Sequence, residues 1–339
     1  MATGRYDIHY LTHFVDGRER TRNYQVVQIG RGGIPRLGFV MDAASLTGTL
    51  RGLKPDVIYQ RVACAYTGIC AAYAKRHAIP MVWHVAHDTD VAPRSLDPGR
   101  NILRVRLEKW AANHGAKHAT RIVVQTHHQA SLLRQNFHRT ADAVIPNFHP
   151  PAAETFDKSG APTVVWIANL KAWKRPEVFV RLAAQLGSCH GVKFVMVGLP
   201  AGAGRFQDTL MASIAAQPNL EYLGSKTHEE VNELLARASV FVNTSTHEGF
   251  PNTFIQSWLR NVAVVSLSVD PDQVLEKKQV GILAQSESGL ADAVRRLIED
   301  PKCREAYVAR GREHAVAQHS LRNTQELIDL IDRQDLSAV

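Results

Sequence analysis

The stretch Asn243-Thr-Ser-Thr-His-Glu-Gly-Phe-Pro-Asn-Thr-Phe-Ile-Gln256 decides how this chain is read. Before it, Ser239-Val-Phe-Val242 is an apolar run of strand length. The polar turn carries one acidic residue, Glu248. Asn252 then opens a segment whose apolar residues, Phe254, Ile255, Trp258 and Leu259, recur at helical spacing. A strand that turns directly into a helix aims the unpaired N–H groups of the first helical turn at whatever lies beyond the strand. Such a corner seats a diphosphate, and a carboxylate beside it accepts hydrogen bonds from hydroxyls. Together these meet the demands of a sugar nucleotide.

The same alternation extends outward through the second half. Thr163–Ala168, Val192–Gly198, Leu220–Leu223, Val262–Leu267 and Val280–Leu283 read as further strands, with amphipathic segments between them. Thr227-His-Glu-Glu230 fits a capping box. Short apolar strands between amphipathic helices imply a parallel sheet covered on both faces. The first half offers strands at Asp7–Leu11, Tyr24–Ile29, Asp56–Gln60, Met81–Ala86, Arg121–Gln125 and Ala143–Ile145. The fold class predicted is α/β, with two doubly wound, Rossmann-like parallel-sheet domains facing across a cleft. The boundaries predicted are a first domain over 1–147, a linker rich in Pro and small residues over 148–162, and a second domain over 163–301. Helices are expected over 302–339. Ligands of open parallel sheets bind beyond the strand C-termini, so the chemistry belongs in the cleft.

Charge divides the halves. Residues 1–150 carry 20 Lys+Arg against 10 Asp+Glu, a net of +10, and residues 151–339 carry 20 against 22, a net of −2. The first half also holds 11 of the 16 histidines. This asymmetry points to an anionic partner for the first domain, a phospholipid surface or a phosphorylated lipid. Nucleic acid fits less well, because no aromatic-studded strand face accompanies the charge. No apolar run approaches the ~18 residues of a membrane span, and no signal peptide is evident. Cys64, Cys70, Cys189 and Cys303 form no Cys-x-x-Cys pair and read as thiols of a reducing cytosol. The expected location is cytoplasmic, peripheral at the inner face of the cell membrane.

At this point the residues resemble a known family. Glu248-Gly-Phe-Pro-Asn252 before an apolar helix resembles the acidic donor-sugar motif of glycosyltransferase family 4, of the GT-B fold. Lys54-Pro-Asp-Val-Ile-Tyr59, Ile79-Pro80 with His87-Asp88, Val144-Ile-Pro-Asn147, Trp166-Ile-Ala-Asn-Leu-Lys-Ala-Trp-Lys174, Val195-Met-Val-Gly198 and Tyr222-Leu-Gly224 resemble other family landmarks, in the family's order. The resemblance spans residues 52–320, and it implies that the helices over 302–339 cross back to the first domain. It implies transfer of a sugar from a nucleoside diphosphate sugar with retention, without a metal or other cofactor. Carried over by residue, it implies that Glu248 binds donor-sugar hydroxyls, Lys174 neutralises the diphosphate and His87 sits under the sugar ring. Asn169, Lys171, Gly224, Gly249, Phe250, Asn252, Thr253, Phe254 and Gln256 would complete the donor site, with backbone N–H groups of Asn252, Thr253 and Phe254 on the diphosphate.

Three departures qualify the resemblance. Gln256 stands where the family has a second glutamate, and it can donate as well as accept. Asn169 stands where the family has an arginine, which leaves Lys171 or Arg175 to supply the second cation. The usual opening strand and glycine-rich loop are not evident, so the chain is expected to lack the first βα unit; Gly32-Gly33 has the wrong spacing to replace that loop.

Other constellations compete. His84-x-x-His87-Asp88-x-Asp90 offers metal-ligand types at a strand end, although alternation puts the two imidazoles on opposite faces. Arg100–His118 reads as a basic helix whose stripe Ile102, Leu103, Leu107, Trp110, Ala111 faces the core, with Arg100, Arg104, Arg106 and Lys109 outside. The reading adopted is a glycosyltransferase acting on a lipid-linked or polysaccharide acceptor in envelope polysaccharide or glycolipid synthesis. A catalytically silent nucleotide-sugar-binding subunit and a nucleotide-sugar epimerase on the same fold fit many of the same residues.

Overall fold

Val164, Val165, Val240, Phe241 and Val242 are all within 1% of complete burial, so these strands are covered on both faces and hold no alternation of polar and apolar residues. The computed structural model describes residues 5–13, 24–30, 38–92, 102–153, 155–187 and 191–333, with side chains omitted over 38–41 and 102–105. Gly32-Gly33, Cys189 and Arg100 lie outside the described residues, as do the side chains of Ile102, Leu103 and Arg104. The chain divides into one unit made of Met1–Ile145 with Gln325–Val339 and a second made of Pro146–Thr324.

The first unit contains β1 (His9–Thr12) paired in parallel with β2 (Gln25–Gln28). A separate four-stranded parallel sheet has the spatial order β3 (Ile58–Arg61), β4 (Met81–His84), β5 (Arg121–Val124), β6 (Ala143–Val144). Helices α1 (Gly38–Leu53), α2 (Ala65–His77), α3 (Asp88–Val91), α4 (Ile102–His118) and α5 (His127–Phe137) connect these strands. Met81, Trp83, Ile122 and Val124 point to one core, and Val82 and Val123 point to the other.

The second unit carries β7 (Thr163–Ile167), α6 (Pro176–Gln185), β8 (Lys193–Val197), α7 (Arg205–Ala215), β9 (Leu220–Tyr222), α8 (His228–Arg237), β10 (Val240–Asn243) and α9 (Asn252–Leu259). It continues through β11 (Ala263–Ser266), α10 (Val274–Lys278), β12 (Ile282–Leu283), α11 (Glu287–Glu299) and α12 (Pro301–Gln318). The predicted strands fall within two residues of those observed. The parallel sheet has the order β12-β11-β10-β7-β8-β9. The chain therefore starts in the middle, builds outward to β9, then crosses back to build the other side from β10.

That crossing decides where a ligand can sit. Val164, Trp166, Val240 and Val242 pack with α6, α7 and α11, whereas Val165 and Phe241 pack with α8, α9 and α12. The loops leaving β7 and β10 run to helices on opposite faces, α6 and α9. Neighbouring loops that part in this way open a crevice at the strand C-termini, the switch point of a doubly wound sheet.

The segment expected as a linker and the first of the helices expected to cross back both belong to the second unit. The segment expected as a linker is fastened to the second unit: His149 N–H donates to the His319 carbonyl at 3.0 Å, and Arg312 to the Ala153 carbonyl at 3.0 Å. The last described helix, α13 (Arg322–Asp332), places Leu327, Leu330 and Ile331 over Val82, Val123 and Ile145 of the first unit's sheet. The helix before it, α12, packs with α9 in the second unit, where a Cβ on Gly311 would come within 2.4 Å of the Trp258 ring.

Candidate functional site

The loop after β7 carries Lys171, Trp173 and Lys174; the loop after β10 carries Thr244, Ser245, His247 and Glu248. Backbone and side-chain bonds stitch them together. Thr246 N–H donates to the Trp173 carbonyl at 3.0 Å. Thr244 Oγ1 donates to the Lys174 carbonyl at 2.7 Å and accepts from Trp166 Nε1 at 2.8 Å. The outcome is a close ion pair between Lys174 Nζ and Glu248 Oε1. Their side chains are only 15% and 7% exposed, so the pair is shielded from bulk water. Ser245 Oγ also donates to Glu248 Oε1, at 2.8 Å.

Burial pushes the Lys174 ammonium below the usual lysine range, and the neighbouring Lys171 adds to this; the Glu248 carboxylate opposes the shift. Trp173 gathers the charges. Lys174 Nζ lies 4.2 Å and Lys171 Nζ 5.9 Å from its ring centroid, and the His247 ring stacks on it at 5.0 Å. Arg175 and Arg181 cannot join them, because both donate to Glu287, at 2.9 Å and 2.8 Å. Of the two substitutes expected for the missing arginine, Lys171 is the one whose side chain is exposed at the site.

Helix α9 starts at Asn252 with Pro251 at its N-cap and no side chain capping it. The N–H groups of Asn252 and Thr253 are first-turn donors with no place in the intrahelical ladder. Phe254 corrects the expectation: its N–H donates to the Pro251 carbonyl at 3.0 Å, so it is already used. Its ring, and that of Phe250, belong to the core with Trp258, so neither ring is a donor contact. Phe250 offers its carbonyl to Asn147 Nδ2 at 3.0 Å instead. Gly249 is buried between Glu248 and Phe250, and Asn169 is exposed at the start of the β7 loop. Gly224 follows β9 with φ +65°, and its carbonyl accepts from Gly198 N–H at 2.8 Å, two strands away from β7's loop. Gln256 is buried, and its amide donates to Asn232 Oδ1 at 3.1 Å.

His87 lies in the first unit, exposed, just before α3. The carboxylate of Asp90 fixes the loop around it by accepting from Ala86 N–H, His87 N–H and Ala63 N–H at 2.9, 3.0 and 3.1 Å. Asp88 Oδ1 accepts from Gln129 Nε2 at 3.1 Å. His84 turns away into the unit, where Tyr59 meets its Nδ1 at 2.6 Å, and burial lowers its pKa to about 3. Asp90 is thus spent on holding a turn and His84 on Tyr59, and among the described residues no cluster of three or more His, Cys, Asp or Glu is placed to hold a metal.

Sequence reasoning missed Thr244, Ser245, Trp173 and His247. The signal for Ser245 was its position three residues before Glu248, within reach across one turn. Nothing in the sequence pairs Thr244 with Trp166, 78 residues away.

Comparison with known proteins decides the family. Residues 161–300 match the family described as "Glycosyl transferases group 1", and residues 7–147 match "Glycosyl transferase 4-like domain". The chain carries a glycosyltransferase domain in each half. The chain is 22% identical over 254 residues to an alpha-D-kanosaminyltransferase of Streptomyces kanamyceticus. That alignment takes in 69% of this chain and spans 64% of the relative's length. Its fold is similar to that of sucrose-phosphate synthase from Thermosynechococcus elongatus, with a TM-score of 0.78 at 16% identity over 100% of this chain and 91% of the other. WaaG, a glycosyltransferase involved in lipopolysaccharide biosynthesis, gives 0.78 at 14% over 98% and 93%. Anabaena HepE in complex with UDP-glucose gives 0.73 at 18% over 91% and 85%. At these identities the likeness is one of fold.

Proposed function

We propose that this chain moves a sugar from a nucleoside diphosphate sugar to a lipid-linked or polysaccharide acceptor, with retention, at a membrane surface during envelope polysaccharide or glycolipid synthesis. The observation that carries the reading is the Lys174–Glu248 pair at the switch point, beside the start of α9. Breaking a glycosyl–phosphate bond leaves negative charge on the departing diphosphate. A fixed ammonium and helix N–H groups stabilise that charge with little reorganisation, and such electrostatic terms are usually the largest in catalysis. Lys174 has three N–H donors, so it can keep one on Glu248 and turn another to a phosphate oxygen. Lys171 supplies a second cation and offsets the charge that Glu248 cancels. Glu248 keeps a second oxygen for a sugar hydroxyl. No metal is required by this set of residues.

A second reading, a catalytically silent donor-binding subunit, draws on Gln256, whose amide is committed to Asn232. Thermal shift with a panel of nucleoside diphosphate sugars tests both. A bound donor at 100 times Kd raises stability by about 2.7 kcal/mol. Binding with sugar transfer or donor hydrolysis supports the enzyme, and binding without either supports the subunit.

A further inference from the structure

Helix α4 does not bury the stripe that its sequence offers. Its buried face is small: Ala111, Ala112, Gly115 and Ala116. These pack against α2 so closely that a Cβ on Gly68 would come within 2.2 Å of the Ala111 carbonyl oxygen, and one on Gly115 within 2.6 Å of the Thr67 backbone. Leu107 and Trp110 are left 42% and 66% exposed, against the expectation that they face the core.

These apolar side chains head a continuous row. The Trp110 ring stacks on His114 at 5.5 Å, and His114 meets His118 at 4.3 Å, one helical turn between each. Cations surround the row. Arg106, Lys109 and Lys117 lie on α4, which carries one acidic residue, Glu108, among residues 106–118. The last turn of α2 adds Lys75, Arg76 and His77, and α2 has no acidic residue. Arg139 donates to the Lys117 carbonyl at the end of α4 and to the Ala119 carbonyl just beyond it. A rigid aromatic and aliphatic ridge rimmed by basic side chains fits one partner chemistry: the headgroup region of an anionic bilayer, where indole sits at the interface and cations meet lipid phosphates.

We propose that the outer face of α4, with Leu107 and Trp110 entering the headgroup layer and Arg106, Lys109, Lys117 and Lys75 around them, is the surface by which this protein docks on anionic membranes. The proposal rests on the membrane-surface part of the functional reading and not on donor chemistry. The docking face belongs wholly to the first unit, and the ion pair of the candidate donor site belongs to the second.

Flotation of the full chain, without nucleotide sugar, on phosphatidylcholine vesicles with and without phosphatidylglycerol tests it. Binding is expected only with phosphatidylglycerol and is expected to weaken at high salt. Arg106→Gln with Lys117→Gln should lower partitioning about fivefold per cation removed. Trp110→Ser should lower it at least as much, while its thermal shift with donor matches wild type. Absence of flotation on phosphatidylglycerol vesicles, or equal flotation of wild type and both variants, overturns the proposal. So does a change of oligomeric state in Trp110→Ser without vesicle binding, which assigns the face to a second copy. Donor binding and transfer read the functional proposal separately.

Discussion

Lys174 and Glu248 are 74 residues apart in sequence, yet the ammonium of one donates to the carboxylate of the other where β7 and β10 end side by side. The relationship follows from strand order. Only because the chain crosses back after β9 do these two loops become neighbours, and only because α6 and α9 take opposite faces does space open between them.

A shielded ion pair is costly to break on one side. Lys174→Met leaves the Glu248 carboxylate with the Ser245 hydroxyl as a hydrogen-bond donor but without its cation, in a site largely closed to water. Loss of about 3 kcal/mol is expected, whereas Lys174→Met with Glu248→Gln should recover part of it. Urea unfolding of the two variants checks this, with non-additivity as the signature.

Trp173 acts through Lys174 and Lys171, by holding their ammonium groups near its ring face. Trp173→Ala should raise the KM for the nucleotide sugar about fivefold, as expected for loss of ~1 kcal/mol of cation–π attraction. Trp173→Phe should restore part of the loss. Steady-state kinetics with separate kcat and KM tells a positioning role from a general loss of folded protein, which would lower kcat alone.

Acid should weaken the second unit through His319. Its Nδ1 lies 2.6 Å from the Asn147 carbonyl, and its Nε2 is buried without a hydrogen-bond partner. Burial lowers its pKa from 6.5 to about 4, and His314 adds to the shift. Between those values the unfolded chain binds a proton that the folded one does not. Stability is therefore full above pH 6.5 and is lost as pH falls from there through about 4, by about 3 kcal/mol. His319→Gln should flatten that limb of the stability–pH curve, measured by denaturant unfolding at each pH.

The α2–α4 contact leaves no room for a methyl group. Gly68→Ala should cost about 2 kcal/mol, because both walls of the contact are backbone. Trp110→Ser, on the opposite side of α4, should change stability by less than about 0.5 kcal/mol. A shift in the urea midpoint with unchanged slope distinguishes the two.

The corner around Glu248 was legible because two independent patterns meet there, an apolar strand and a helical period opening at Asn252. Lys174 came from the resemblance; periodicity places it in the loop after a buried strand and says nothing of its role. Periodicity failed on α4. It shows that Leu107, Trp110 and Ala111 share a side, but not that the neighbouring helix approaches so closely that only alanine and glycine fit. It also could not show that the Phe254 N–H is consumed by Pro251, or that Arg175 is drawn off by Glu287, because both depend on contacts set by backbone geometry and tertiary packing. The return of α13 to the first unit was expected only from the resemblance; its Leu327, Leu330 and Ile331 are the residues that effect it.

On the proposed function, Lys174 and Glu248 together grip a nucleoside diphosphate sugar. Isothermal titration of the chain with a panel of such donors, repeated on Lys174→Met and on Glu248→Gln, tests it most directly. Saturable binding of at least one donor by the wild type is expected, weakened tenfold or more, about 1.4 kcal/mol, in each variant while circular dichroism shows the fold retained. Equal affinity in the wild type and both folded variants would contradict it, as would the absence of binding by every donor tried.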